Sequence, residues 1–296
     1  MRTLRTVVEL RAALLGPRRA GQQIGLVPTM GAFHQGHLSL MRRAREDCDV
    51  VVVSLFVNSA QFNETSDLDS YPRAEARDAA LAADAGVDFL FAPPVAEVYP
   101  PAFSTTVAVA SVTDTLEGAE RGRRHFDGVT TVVAKLFNMV APDVAYFGQK
   151  DAQQALVIKR MVRDLDVPVR VEVCSTVREP DGLALSSRNI RLSNADRARA
   201  SSLHRALAAI QEAVAAGERD PAAARAQALA ELRSSEIEPD YLELVSTDTL
   251  DPVKRIDGEL LAVVAAHVGT TRLIDNEIIQ PLSTAHAAGS TDNGRP

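Results

Sequence analysis

Ile24-Gly-Leu-Val-Pro-Thr-Met-Gly-Ala-Phe-His-Gln-Gly-His37, running directly into Leu38-Ser-Leu-Met-Arg-Arg-Ala-Arg-Glu-Asp-Cys48, decides how this chain folds. The apolar run Ile24 to Val27 reads as a short buried strand, and Pro28 is expected to stop it. Thr29, Gly31 and Gly36 make a tight, polar connection. Leu38, Met41, Ala44 and Cys48 then recur on one face, opposite Arg42, Arg43, Arg45 and Glu46, a spacing that predicts a helix. His34 and His37 therefore stand where a helix begins. That end carries unpaired backbone N–H groups and partial positive charge, a natural seat for phosphate. Two imidazoles three residues apart can both reach one bound anion. Two plainer readings compete: a metal pair, for which no third ligand stands nearby, and histidines that cap or pack.

Working outward, Thr6 to Leu15 reads as an amphipathic helix and Val50 to Val57 as a strand covered on both faces. Helices are expected at Ala74 to Ala85, Gly128 to Val140 and Asp151 to Leu165, and strands at Asp88 to Ala92, Val144 to Phe147 and Val169 to Val173. Alternating strands and helices imply an α/β fold with a Rossmann-like parallel sheet and helices on both faces, ligands binding beyond the C-terminal strand ends. Composition changes after Val177. A helical stretch from Ala195 to about Ala216, opened by the capping pair Ser193 and Asp196, precedes another helix to about Ser234. Strand-like stretches follow at Tyr241 to Val245, Leu260 to His267 and Arg272 to Ile278. The expectation is a nucleotide- and substrate-binding domain at 1–176, a smaller C-terminal α+β lid domain at 177–282, and a disordered tail at 283–296.

A net charge of −7 over 296 residues argues against broad binding of nucleic acid or an anionic membrane. No apolar run approaches a membrane span, the N-terminus lacks a signal-peptide core, and two cysteines make no disulfide framework. A cytoplasmic protein fits these facts.

Four segments can carry chemistry. The histidine loop is the first. In Phe56-Val-Asn-Ser-Ala-Gln-Phe62, Asn58 and Gln61 suit a small polar substrate in an apolar pocket, although a plain Asn/Gln turn beside core aromatics fits the residues alone slightly better. In Tyr146-Phe-Gly-Gln-Lys-Asp-Ala-Gln-Gln154, Gly148 allows a turn, Lys150 offers a charge to phosphate, and Asp151 can accept from ribose, hold Mg²⁺ through water, or cap a helix. One of Gln153 and Gln154 can face the site. In Asp181-Gly-Leu-Ala-Leu-Ser-Ser-Arg-Asn189, Ser186, Ser187 and Arg188 can form a mobile anion clamp between the two domains, with a turn and helix cap as the competing reading. Arg121, Arg123 and Arg124 make a basic cluster that either lines the cleft or is solvated. No arrangement suggests covalent catalysis, and neither a P-loop nor a G-x-G-x-x-G fingerprint is present.

In this order, these segments resemble the pantothenate synthetase (pantoate–β-alanine ligase) family of HxGH-type nucleotidyltransferases, which share a fold with class I aminoacyl-tRNA synthetases. The likeness runs from about Leu26 to Asn276 and includes the stretches from Leu116 to Val129, Val177 to Asn189 and Arg272 to Asn276. It implies ATP-dependent joining of pantoate to β-alanine through pantoyl adenylate. It also implies an ATP site made of Met30, Gly31, Ala32, Phe33, His34, Gln35, Gly36 and His37, with Gly148, Gln149, Lys150, Asp151, Val177, Leu185, Ser186, Ser187 and Arg188. His37 is the implied proton donor, with His34, Lys150, Ser187 and Arg188 as the other catalytic groups. Gln61, Gln154 and Asn58 would hold pantoate, and Gln61 also β-alanine. Mg²⁺ accompanies the phosphates, with Asp78 as a weak metal-side candidate beside Asp151, and a homodimer is implied. The chain departs from the family's commonest pattern at Gln35, Gln149, Ser59 and Arg77, and in a Gly118 to His125 stretch one residue longer. The rival expectations are another HxGH nucleotidyltransferase and a catalytically silent nucleotide-binding regulator.

Overall fold

The computed structural model describes residues 1–63, 68–69 and 71–281; the tail from 283 lies outside the described residues. Six strands, β1 (Arg2–Leu4), β2 (Ile24–Thr29), β3 (Val50–Leu55), β4 (Phe89–Phe91), β5 (Val144–Gly148) and β6 (Arg170–Cys174), form one sheet in the order β1-β4-β3-β2-β5-β6. Every pairing in it is parallel. The chain leaves β2 toward β3 on one side and returns to β5 on the other. The strand order therefore reverses between β2 and β5, which opens a crevice at their C-terminal ends.

Pro28 does not stop β2. It pairs with Ser54 of β3, while β5 pairs β2 only at Gly25 and Leu26. The proline thus stands past the point where its other edge is bonded, and the missing N–H costs nothing there. The helix Gln35–Asp47 buries Leu38, Leu40, Met41 and Ala44. The helix Arg123–Val140 begins five residues earlier than its apolar pattern indicates, because Gly122 at φ +76° breaks the chain just before it. Its Val129, Val132, Val133, Leu136, Phe137 and Val140 are all buried. The expected strand at Val144 to Phe147 and helix at Asp151 to Leu165 correspond to β5 and to Ala152–Asp164. The expected helix from Ala195 is two, Asn194–Ala200 and Ser202–Ala215, and Ser193 Oγ caps the first by accepting from the N–H of Asp196.

A second, antiparallel sheet follows: β7 (Pro239–Val245), β8 (Leu260–Val268) and β9 (Thr271–Ile279), in that order. β8 is apolar on both faces because both are covered. Leu260, Ala262, Val264 and Ala266 pack with Leu203, Leu207, Ile210 and Leu232 of the covering helices. Leu261 and Val263 pack with Val112, Phe126 and Val157, which flank the first sheet. The alternation of the strand therefore binds this layer to the rest of the molecule.

Candidate active site

A cleft of about 640 Å³ opens beyond β2 and β5. It is lined by His34 and His37 from the loop after β2, and by Lys150, Asp151 and Gln154 from the turn after β5. Gln61 stands on one flank and Val177, Leu185, Ser186, Ser187 and Arg188 on the other.

The histidines cap the helix and face the cleft at once. His34 is the N-cap residue, and its Nδ1 accepts from the N–H of Gly36 at 3.2 Å. His37 Nδ1 accepts from the N–H of His34 at 3.4 Å. A lone pair that accepts carries no proton, so each neutral ring holds its hydrogen on Nε2. The two rings lie 4.2 Å apart, centre to centre. Burial lowers the pKa of both, His37 to about 3, with the His34 charge as its next cause. The pair is thus two neutral N–H donors rather than a cationic site. Gly36 is needed here: a Cβ would stand 2.9 Å from His34 Cε1.

The preceding turn is fastened from beneath. Gly31 and Ala32 have φ of +94° and +54°. Buried Asp78 accepts from the N–H of Ala32 at 2.8 Å and of Phe33 at 2.9 Å. This corrects three expectations. Asp78 lies under the loop with both oxygens engaged and does not line the cleft as a metal-side group. The Ala32 and Phe33 amides are spent on Asp78, and Phe33 is a core residue. Gly31 is buried and Gln35 exposed, neither lining the cleft.

Neighbours in sequence divide between cleft and scaffold. Asn58 uses its whole amide: Nδ2 donates to Gln61 Oε1 and Gly128 O, both at 3.0 Å, and Oδ1 accepts from Tyr99 Oη at 2.7 Å and the Ala60 N–H at 3.4 Å. Asn58 is therefore not a substrate ligand but the holder of Gln61, whose Nε2 is left to donate. Burial pushes the Tyr99 phenol up to about 12, so it stays a donor. Gly128 lets the Ser59–Gln61 turn touch the long helix, since a Cβ there would meet Ala60 O at 2.5 Å. His125 Nδ1 holds Gln61 O at 2.8 Å. Gln153 is buried and bonded to Glu117, Val112 and Thr115, so Gln154 is the glutamine free to face the cleft.

The turn after β5 divides in the same way. The Gln149 side chain points away and donates to Asn276 Oδ1 at 2.9 Å, which corrects its assignment to the nucleotide site. Asn276 in turn donates to the carbonyls of Gln149 and Lys150 at 3.0 and 2.9 Å, so β9 fixes the backbone that carries Lys150. Lys150 Nζ lies 3.8 Å from Asp151 Oδ1. Although desolvation opposes it, the nearby charges of Lys150, Arg188 and Arg121 hold the Asp151 carboxyl below the usual range. Sequence reading missed these remote partners; the late Arg272 to Asn276 motif was their one signal. Of the basic cluster, Arg121 lines the cleft, Arg123 pairs with Asp114 at the surface, and Arg124 is exposed.

Pro28, Phe56, Val129, Val133 and Leu136 form an apolar wall beside Gln61 and Gln154. Cys48 is buried, and burial raises both thiols, that of Cys174 to about 11, so neither offers a nucleophile at neutral pH. Among the described residues, no group of three or more His, Cys, Asp or Glu can hold a metal, and no helix is long and apolar enough to cross a membrane.

The family model described as pantoate-beta-alanine ligase matches residues 2–278. The pantothenate synthetase of Cereibacter sphaeroides is 54% identical over 278 residues, covering 92% of this chain and 98% of its own. That of Moorella thermoacetica is 51% identical over 281 residues, covering 95% and 99%. The crystal structure of the Thermus thermophilus pantothenate synthetase superposes with a TM-score of 0.90 at 49% identity, covering 95% of this chain and all of the other. A pantoate-beta-alanine ligase from Francisella tularensis, complexed with beta-gamma ATP and beta-alanine, gives a TM-score of 0.76 at 32% identity, covering 94% and 97%. A switch-point cleft built from these residues and matched over nearly the whole chain leaves one conclusion: the chain belongs to the pantoate–β-alanine ligase family.

Proposed function

We propose that this protein condenses (R)-pantoate with β-alanine, converting ATP to AMP and pyrophosphate through pantoyl adenylate. The observation that carries the reading is the convergence of His34, His37, Lys150, Ser187 and Arg188 on one cleft that adjoins an apolar, glutamine-bearing pocket.

Each group then has a task. The Nε2–H groups of His34 and His37 donate to phosphate oxygens, His37 to the α-phosphate as charge builds there. Lys150, Ser187 and Arg188 hold the β- and γ-phosphates, and Met30, Gly36, Gly148, Asp151, Val177, Leu185 and Ser186 complete the nucleotide site. Gln61 Nε2 and Gln154 orient pantoate, whose methyl groups meet Phe56, Val129 and Val133. Its carboxylate oxygen attacks the α-phosphorus and pyrophosphate leaves. The neutral amine of β-alanine next attacks the acyl carbon, AMP departs with the bonding electron pair, and the amine's proton goes to solvent. Neither half needs a protein nucleophile; both need positioning and charge stabilisation. Mg²⁺ would offset the charge of the triphosphate when bound, and half-exposed Asp151, kept ionised, is the residue that would hold it through water.

The same reading treats 1–176 and 177–282 as catalytic and lid domains of a cytoplasmic homodimer, a species of twice the 31.8 kDa chain mass by sedimentation. The activity test is AMP release with substrates omitted in turn. All three are required for steady turnover; AMP formed no faster with β-alanine than without it, after the first turnover, overturns the ligase.

A further inference from the structure

The second substrate brings a carboxylate that the reading above leaves without a cation. We propose that Arg121 receives the carboxylate of β-alanine; the inference rests on the ligase reading.

Several cationic side chains border the cleft, and most are committed elsewhere. Lys150 and Arg188 stand with His34, Asp151 and the Ser186–Ser187 turn at the phosphate end. Arg272 gives Nη1 to Glu117 Oε1 and Nε to Asp240 Oδ2, each at 2.7 Å, and is locked between them, with only its buried Nη2 unpartnered, so it has no free pair of Nη groups for a bidentate contact. Arg191 is exposed on the rim. Arg121 differs. Its Nε is held by Glu117 Oε2 at 2.7 Å, and among the described residues its two Nη groups make no hydrogen bond. A guanidinium gripped at Nε presents its Nη edge for a bidentate carboxylate.

Its place also fits. The Arg121 carbonyl accepts from Asn63 Nδ2, two residues beyond Gln61, and the Gln61 carbonyl is bonded to His125. Arg121 is thus tied to the Gln61 flank, yet lies near enough to Arg188 and Asp151 to bear on their charge. It stands between the carboxylic-acid pocket and the nucleotide, where an amine must come in. Glu117 is the positioning residue: its side chain is 9% exposed, it takes Arg272 and Tyr241 on Oε1 at 2.7 and 3.1 Å, and these pin the carboxylate that grips Arg121. With Arg121 removed, Glu117 keeps Arg272 and Tyr241, so the fold survives the test.

The experiment compares wild type, Arg121→Ala and Arg121→Lys in two assays. Pantoate-dependent ATP–pyrophosphate exchange without β-alanine reports the first half-reaction alone. Full turnover with β-alanine or with n-propylamine, which lacks the carboxylate, reports the second. The expected result for Arg121→Ala is a KM for β-alanine raised about 30-fold or more, exchange within about threefold of wild type, and a preference for β-alanine over n-propylamine that falls by a similar factor; Arg121→Lys recovers part of the loss. General damage would lower both amines alike. An unchanged KM for β-alanine overturns the assignment. So does a fall in exchange with a raised KM for pantoate or ATP, which would move Arg121 to the first half-reaction. Absence of exchange in the wild type instead defeats the ligase reading itself, and the assignment with it.

Discussion

The two walls of the cleft are built to different standards. The loop after β2 is fastened by backbone bonds: Asp78, 1% exposed, grips two amides, and the two histidines cap their own helix. The opposite stretch, Ser186 to Arg188, is held by a serine turn, Ser186 Oγ accepting from the Arg188 N–H at 3.2 Å, by Asn189 Nδ2 on Ala184 O at 3.1 Å, and by the half-exposed Arg197–Asp181 ion pair below it. Buried, charged fastenings make a wall that keeps its geometry without ligand, whereas exposed pairs contribute little. On the ligase reading proposed above, the histidine wall would set where the phosphorus sits, and the Ser-Ser-Arg wall would supply charge drawn in by the phosphates themselves.

The largest effects should separate chemistry from fastening. His37→Ala and Lys150→Ala are each expected to lower kcat by roughly a hundredfold or more with the melting temperature nearly unchanged, since each removes a donor aimed at developing charge; single-turnover AMP formation is the check. Near-wild-type rates would take those groups out of the mechanism. Asp78→Ala should cost about 2 kcal/mol of unfolding free energy in urea, because two buried amides lose a charged acceptor. Ser187→Ala, at the other wall, should change stability by less than about 0.5 kcal/mol. Equal losses at the two positions would erase the contrast. The Mg²⁺ concentration for half-maximal activity should not respond to Asp78→Asn.

Acid should also find the histidine wall first. The folded pKa of His37 lies near 3, below the usual imidazole value of about 6.5, so the unfolded chain binds the proton more readily between the two. Its contribution to stability is complete above the unfolded pKa and is lost as pH falls toward 3. Going from pH 6.5 to 5.5 should cost about 1 kcal/mol through this residue alone, and His37→Gln should remove that slope. A slope unaltered by the variant would mean that the ring is protonated in the fold. The smallest effect concerns the tie behind Lys150. Gln149→Glu sets a carboxylate against Asn276 Oδ1 and should cost about 0.5–1 kcal/mol, with a modest rise in KM for ATP. A gain in stability would show that Asn276 had turned its amide over.

The alternation of strands and helices is legible in the sequence because it is periodic and local. β1 is not, being three residues long and paired only at the sheet edge with β4. Within the site, residue types were readable and orientations were not. Whether Gln153 or Gln154, Gln149 or Lys150, Asn58 or Gln61 is left free to face the cleft is decided by Glu117, Asn276 and Tyr99, and Glu117, the nearest of them to its partner, is still 36 residues away. The two histidines needed no such help. Their spacing at a helix start fixes both the cap and the direction of Nε2, so what looked like two competing readings describes one arrangement.

The central claim is that this cleft activates a carboxylic acid as its mixed anhydride with AMP. Pantoate labelled with ¹⁸O in both carboxylate oxygens tests it directly, with the released AMP read by mass spectrometry. One ¹⁸O per AMP is the expected result, because the attacking carboxylate oxygen stays on phosphorus when the amine takes the acyl group. Unlabelled AMP would mean that pantoate oxygen never bonded to the α-phosphorus, and would contradict the account.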